Sequence, residues 1–434
     1  MTVTVAVFTR DLRVYDNPML AAAVRGAEHV VPLFVRDSRI TGTQFAAGRK
    51  RFLAESLTDL DHSLRALGGR LVVREGDFVA EVCRVANEVS ADRVHIASDV
   101  SGFAQSRESS LRSSLTCELR THDDVHTVVP PGAVKPSGSD HFSVFSPYHR
   151  RWADLQWRNV IARPSKISLP KIQAGAVLSA TGDVVGGETA GRERAGKWIR
   201  NSAKSYADNH DALAADRTSR LSPYLHLGCV SALELARKSA GSSEEFVRQL
   251  AWRDFHHQVL AARPRAARED YRPRGDRWLD DKDALQAWQA GETGIPIVDA
   301  GMRQLLAEGW MHNRARMIVA SFLTKTLYID WRAGAAHFFE HLLDGDIANN
   351  CMNWQWVAGT GTDTRPNRVL NPLRQAERFD ADGEYVRRYV PELSHVDGKA
   401  VHEPWRLPEK ERKGYPLPIV DLAEGRARFL AARS

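Results

Sequence analysis

Cysteine is scarce. Cys83, Cys117, Cys229 and Cys351 are the only four in 434 residues, and they lie far apart with no CxxC pair. That excludes a zinc ribbon or a disulfide scaffold and predicts a reducing, cytoplasmic setting. No stretch offers about 18 uninterrupted apolar residues, and the N-terminus reaches Arg10, Asp11 and Arg13 early, so neither a membrane span nor a signal peptide is expected. Tryptophan is missing from the first third: all 11 fall at or after Trp152, a composition shift that marks a domain boundary. The glycine fingerprint GxGxxG is also missing after the first apolar run, which continues as FTRDLRVYDNP. An NAD-dependent oxidoreductase would need it there.

What is present suits a folded protein of two or three domains at about 150 residues each. Hydrophobic residues make up 43% and charged residues 26%, and 60 Lys+Arg against 54 Asp+Glu leave a formal charge of +6, a mild excess that suits an anionic partner. Short β-type runs at 3–8, 30–35, 71–73, 94–96 and 125–129 alternate with helix-like segments at 49–67 and 78–89, which predicts a parallel α/β sheet. From Pro130 to about Gly196 the chain is rich in Pro, Gly, Ser and Lys and reads as a long surface connector. Beyond it, runs such as 243–262 and 311–328 have helical period. The expected fold is a Rossmann-like α/β domain (1–130), a connector (131–196) and an all-α domain (197–434).

Four constellations stand out. In DRTSRLSPYLHLGCV, Ser222 precedes Pro223 at what reads as a capped helix start, whose free amides suit a phosphate. In FVRQLAWRDFH, Gln249, Trp252 and His256 share a helix face, and an amide beside an indole can hold a nucleobase by its edge and its plane. Residues 248–277 carry Arg248, Arg253, Arg263, Arg265, Arg268, Arg272, Arg274 and Arg277 against four acids, a surface suited to a phosphate backbone. Finally, Asn313 and Met317 lie one turn apart in GWMHNRARM, and Asp344, Asp346, Asn349 and Asn350 crowd into LLDGDIANN among apolar neighbours. Buried polar groups at that density need a polar ligand or a salt-bridge network. Arg316 is the expected mate of Asp344. A metal is not favoured, because no suitable His or further carboxylate accompanies the two aspartates, and the Asn and Trp neighbours suit a planar heterocycle better.

In order and spacing, FTRDLRVYDNP, TSRLSP, WRDF, GWMHNRARM, DGD, ANN, NWQWVAGTGTD, Asn371–Pro372 and VHEPW closely resemble the DNA photolyase and cryptochrome family, nearest to class I cyclobutane pyrimidine dimer photolyases. The resemblance covers nearly the whole chain. It implies FAD in the helical domain, with Tyr206, Thr218, Ser219, Arg220, Leu221 and Ser222 around the cofactor and its phosphates. Arg316, Asp344, Gly345 and Asp346 would meet the ring and adenine region, and Asn350 would face flavin N5. It implies a lesion pocket of Gln249, Trp252, Asn313, Met317 and Trp356, with Arg253, Arg314, Arg368 and Gln375 meeting UV-damaged DNA. Trp354, Trp331 and Trp278 would form an electron-transfer chain that runs from the flavin to the surface. The implied reaction is light-driven: an electron passes from excited reduced FAD to the cyclobutane ring, both inter-base bonds break, and the electron returns.

Two departures bear on substrate and antenna. Gln249 stands where many class I members have Glu, and an amide hydrogen-bonds where an acid can also give a proton. Gln is reminiscent of (6-4) photolyases, but those have histidines where this chain has Asn313 and Met317, so cyclobutane dimers are favoured. His210 replaces an Arg that some relatives use near DNA. The alternative of another class is a cryptochrome-like photoreceptor, disfavoured because the chain runs on only briefly after VHEPW. A second chromophore is expected near Phe34, Arg51 and Asp99. A deazaflavin (8-HDF) is favoured over methenyltetrahydrofolate, since folate-binding relatives carry an acid near Phe103 and Ala104. A monomer is expected.

Overall fold

The computed structural model describes residues 2–41, 47–177 and 185–433; residues 178–184 of the expected connector lie outside them. The chain forms two compact units, Met1–Ser205 with Ser219–Arg265, and Tyr206–Thr218 with Ala266–Ser434.

The first unit is built on five parallel strands, β1 (Val3–Phe8), β2 (His29–Arg36), β3 (Val72–Glu75), β4 (Arg93–Ala97) and β5 (Glu118–His122), in the order β3-β2-β1-β4-β5. VTVAVF is buried at every position, as a central strand covered on both faces requires. In the register, Val5 lies opposite Val31 on one side and Val94 on the other. Helix α1 (Phe78–Glu88) is capped by Asp77, whose side chain accepts from Ala80 N–H, and packs Phe78, Val82 and Val85 against this sheet. Each such side chain contributes about 1.5–3 kcal/mol on burial.

The expected strand at 125–129 is not one. Val125, Val128 and Val129 are buried, but the N–H groups of Val128 and Val129 both donate to Asp254 Oδ2 at 2.9 Å, so a side chain takes the place of a ladder. The fifth strand is ELRTH, an edge strand whose exposure alternates. The expected surface connector also carries a helix, α2 (Phe145–Asp154), which buries Phe145, Tyr148 and Trp152. FTRDLRVYDNP is wired inward: the Arg13 guanidinium is buried and donates to Gly228 O (2.9 Å), Asp16 O (2.8 Å) and Val125 O (2.7 Å). Gly228 has φ +64°, and a Cβ there would lie 1.9 Å from Arg10 O, so only glycine allows that approach.

The expected helix start at Ser222 differs in detail. Helix α3 (Ser222–His226) takes Leu221 as its N-cap with no side-chain cap bond, and Ser222 and Pro223 fill its first positions. Ser222 therefore continues the helix instead of capping it. Helix α4 (Glu244–Ala262) closes this unit.

The second unit is helical. Around a core of Val298, Leu305, Met311, Ile318, Phe322, Trp331 and Trp354 pack α5 (Pro296–Glu308), α6 (Asn313–Ser321), α7 (Trp331–His341) and α8 (Ile347–Ala358). The run expected as one helix over 311–328 is α6 followed by a π-helical turn at Phe322–Thr326.

Candidate functional site

In the helical unit, α6 packs against α8 and α7 against α8, and the polar crowd read from the sequence falls at the start of α8. Asp346 caps it, accepting from Asn349 N–H and from Asn349 Nδ2, both at 2.8 Å. Asn350 Nδ2 donates to Ala335 O at 2.9 Å, which fixes its amide across to α7. Arg316 donates through Nη2 to Asp344 Oδ2 at 2.9 Å and through Nε to Met311 O at 2.9 Å, the expected pairing. Gly345 is buried between the two aspartates. The other Asp344 oxygen, Oδ1, is buried and has no hydrogen-bond partner. Thr218 Oγ1 is in the same condition. An idle buried acceptor on a carboxylate is costly unless a donor reaches it, and the N–H edge of a heterocycle supplies such a donor. The donor set therefore fits FAD.

Of the other expected cofactor residues, Tyr206 opens a short helix (Tyr206–Asn209), its ring 5.3 Å from that of His210. Leu221 is buried, Ser219 Oγ accepts from Leu221 N–H at 3.4 Å, and Arg220 has φ +50°. A left-handed conformation on a residue other than glycine is held only where its surroundings demand it.

The lesion and DNA residues separate by unit. On α4, Trp252 stacks on Phe145 with centroids 3.7 Å apart and planes 7° apart, while Gln249 Nε2 donates to Glu245 Oε1 at 3.1 Å. Arg253 turns inward, donating to His126 O at 2.6 Å and Leu225 O at 3.5 Å. In the helical unit, Asn313 is exposed at the start of α6 and Met317 half-buried one turn on. Trp356 is half-buried beneath the Arg368 guanidinium at 5.1 Å. Arg314 is held by Asp211 through two bonds of 3.1 and 2.7 Å and lies over Phe379 at 4.3 Å. Gln375 leaves its Oε1 buried without a partner.

Trp354 and Trp331 are buried and Trp278 is half-buried, its ring 5.1 Å from Tyr328. Trp331 Nε1 donates to Asp270 Oδ1 at 2.8 Å, and Arg332 lies over its ring at 4.8 Å. Trp278 is thus the most exposed of the three. Two supporting residues escaped sequence reasoning. Gly334 faces Trp354 so closely that a Cβ would lie 2.2 Å from its Cη2. His312 caps α6, its Nδ1 accepting from Arg314 N–H at 3.1 Å, and burial pushes its imidazole down to about 4. A His directly before a helical run was the available signal for the cap; nothing local marked the glycine.

Among the expected antenna residues, Phe34 is buried in β2, and Asp99 is clamped by Arg10 Nε and Nη2 at 2.9 and 2.8 Å. Arg51 is exposed, and so is Phe103 beside the buried Ala104. Among the described residues, no helix is long and apolar enough to cross a membrane.

A family model described as the FAD binding domain of DNA photolyase matches residues 246–434, and one described as DNA photolyase matches residues 4–166. The chain is 56% identical to the deoxyribodipyrimidine photo-lyase of Streptomyces griseus over 100% of this chain and 99% of that protein. The crystal structure of a class III photolyase from Agrobacterium tumefaciens matches 99% of this chain and 96% of that one, with 34% identity and a TM-score of 0.89. A Synechocystis cryptochrome structure matches 99% of both chains, with 28% identity and a TM-score of 0.91.

Proposed function

Since the chain belongs to the DNA photolyase family and is an enzyme of the deoxyribodipyrimidine photo-lyase kind, we propose that it reverses cyclobutane pyrimidine dimers in UV-damaged DNA by light-driven electron transfer. The observation that carries the reading is the idle, buried Asp344 Oδ1 beside the Arg316 pair at the head of the Asp346–Asn350 cluster. FAD, when bound and reduced, supplies on illumination the electron that opens the dimer and takes it back, so there is no net redox change.

The residues have separate tasks. Asp344 accepts an N–H from the cofactor, and Arg316 keeps that carboxylate aimed. Asn350, pinned to Ala335 O, presents an amide that cannot act as an acid to flavin N5. Tyr206, Thr218, Gly345 and Asp346 complete the cofactor residues of the helical unit, and Ser219, Arg220, Leu221 and Ser222 follow them along the chain. Gln249 and Trp252 are the lesion residues of the first unit, the amide to hydrogen-bond the dimer and the indole to contact its rings, and Asn313, Met317 and Trp356 are those of the helical unit. Arg314, Arg368 and Gln375 serve the DNA, Arg253 being turned inward onto His126 O and Leu225 O, and a damaged base pair costs less to flip out than an intact one. Trp354, Trp331 and Trp278 would pass electrons inward to a bound flavin from a reductant at the surface. Asn313 and Met317 in place of histidines argue for cyclobutane dimers over (6-4) products and for a position nearest class I. That assignment rests on these residues, since a class III structure has the same fold.

The reading extends to the division 1–130 for an antenna, 131–196 as connector and 197–434 for FAD and DNA, to a deazaflavin antenna near Phe34, Arg51 and Asp99, and to a cytoplasmic monomer. The deciding experiment illuminates reduced holoprotein with a dimer-containing oligonucleotide. Restored thymines are expected. Unchanged dimer with a photoreducible flavin would overturn repair and favour a cryptochrome-like receptor. A folate-type absorption band in the native protein would overturn the deazaflavin.

A further inference from the structure

The last turn of α7 carries His337, Glu340 and His341. One ligand atom from each lies within 4.8 Å of the other two, and among the described residues this is the one such group of His, Cys, Asp or Glu. The i, i+3, i+4 spacing puts all three on one helix face, with the two imidazole centroids 4.5 Å apart. His337 is 7% exposed, and its Nε2 is buried without a hydrogen-bond partner. A buried ring nitrogen left unmatched costs free energy that a ligand would recover. None of the three residues has a task in the flavin or lesion chemistry described above.

The electrostatics favour a cation. The C-terminal end of a helix carries partial negative charge on its unpaired carbonyls, and Glu340 adds a formal one. Two imidazoles and a carboxylate form the donor set of borderline transition ions, not of magnesium or calcium, which take oxygen.

We propose that the C-terminal turn of α7 is a site for a divalent transition-metal ion of the zinc class. The ligands are one ring nitrogen each from His337 and His341 and the Glu340 carboxylate. Glu340 is exposed, so a remaining coordination position is open to water. The ion ties the last turn of α7 together beside Trp288, whose ring lies edge-on 5.6 Å from His337 and 6.0 Å from Trp354.

The test is equilibrium dialysis of tag-free holoprotein against zinc chloride, followed by metal analysis, with bound FAD measured in parallel to confirm folding. Wild type and His395→Ala, which removes an exposed imidazole elsewhere, are expected to retain one zinc ion per chain. His341→Ala and Glu340→Gln are expected to lose it while keeping FAD. Wild type that retains no zinc overturns the site, as does zinc retained equally by both ligand variants. If His341→Ala fails to hold FAD, the exposed Glu340→Gln decides alone.

Discussion

Glu188 in the sheet-bearing unit and Asp344 in the helical unit are both buried carboxylates, and they spend their oxygens differently. Glu188 uses both: Val14 N–H donates to one at 2.7 Å and Tyr15 N–H to the other at 3.0 Å. Asp16 behaves likewise, accepting from Arg158, from Ile161 N–H and from Ser231. Asp344 uses one oxygen on Arg316 and leaves the other idle. A buried carboxylate filled by its own chain is a fastener for distant segments. One with an idle oxygen has room for a donor from outside the chain, although Asp254 in the sheet-bearing unit also leaves Oδ1 idle while its Oδ2 fastens Val128 and Val129. Sequence alone cannot tell the two apart, because distant segments of the chain decide which groups reach a carboxylate's oxygens.

The contrast breaks most readily at Asp344. Asp344→Ala is expected to weaken FAD binding about 10- to 100-fold, the worth of one or two hydrogen bonds to a charged group. Retention of FAD through gel filtration, read from the flavin absorbance, checks it. Full retention would mean that the idle oxygen is not a cofactor contact.

Next in size is Gly334→Ala. In an exposed helix this change is favourable by about 1 kcal/mol, but here the new Cβ meets Trp354 Cη2 at 2.2 Å and Leu323 Cδ2 at 2.7 Å. Overpacking should win, costing about 1–3 kcal/mol. Displacement of the Trp354 indole should also slow light-driven reduction of the flavin. An unchanged melting temperature together with an unchanged photoreduction rate would show that Trp354 is not seated as described.

Glu188→Gln sharpens the fastener side. A glutamine can accept only one of the two backbone bonds and turns a donor toward the other N–H, at a cost of about 1–3 kcal/mol, while FAD affinity should stay unchanged. Burial pushes the Glu188 carboxyl up to about 7 from 4.5. Between those values the folded state holds a proton that the unfolded state has released, so this residue's contribution falls as pH rises from about 4.5 to about 7. Denaturation midpoints measured across that window should fall less steeply with pH in the variant than in wild type.

How much of this was legible follows the same divide. The buried strands VTVAVF and HVVPLFVR announce themselves, because a central parallel strand is apolar at nearly every position. ELRTH did not, since an edge strand need bury only part of itself. The apolar run at 125–129 misled because Asp254, far along the chain, takes its amides. Burial pushes that carboxyl up to about 6. In the helical unit, the Arg316–Asp344 pair was readable from charge and spacing, whereas the idle Oδ1 was not. Gly334 was invisible for another reason: what excludes a Cβ there is a tryptophan on the next helix.

The smallest expected effect at neutral pH is His312→Asn, and it tests the helical unit from the opposite pH direction. His312 is buried and caps α6 through Nδ1, which must be an unprotonated acceptor to receive the Arg314 N–H. Burial lowers the folded imidazole to about 4 from 6.5. The unfolded chain therefore takes up a proton first as the solution is acidified. The stability present above about pH 6.5 is lost as pH falls toward 4, by about 3 kcal/mol at most. Asparagine keeps an oxygen that can accept the same N–H and is among the best N-caps, yet it does not titrate. The variant should match wild type near pH 7.5 and exceed it near pH 5 in denaturant midpoint. Parallel profiles at both values would mean that the imidazole is charged in the fold, and that the cap is held by some other group.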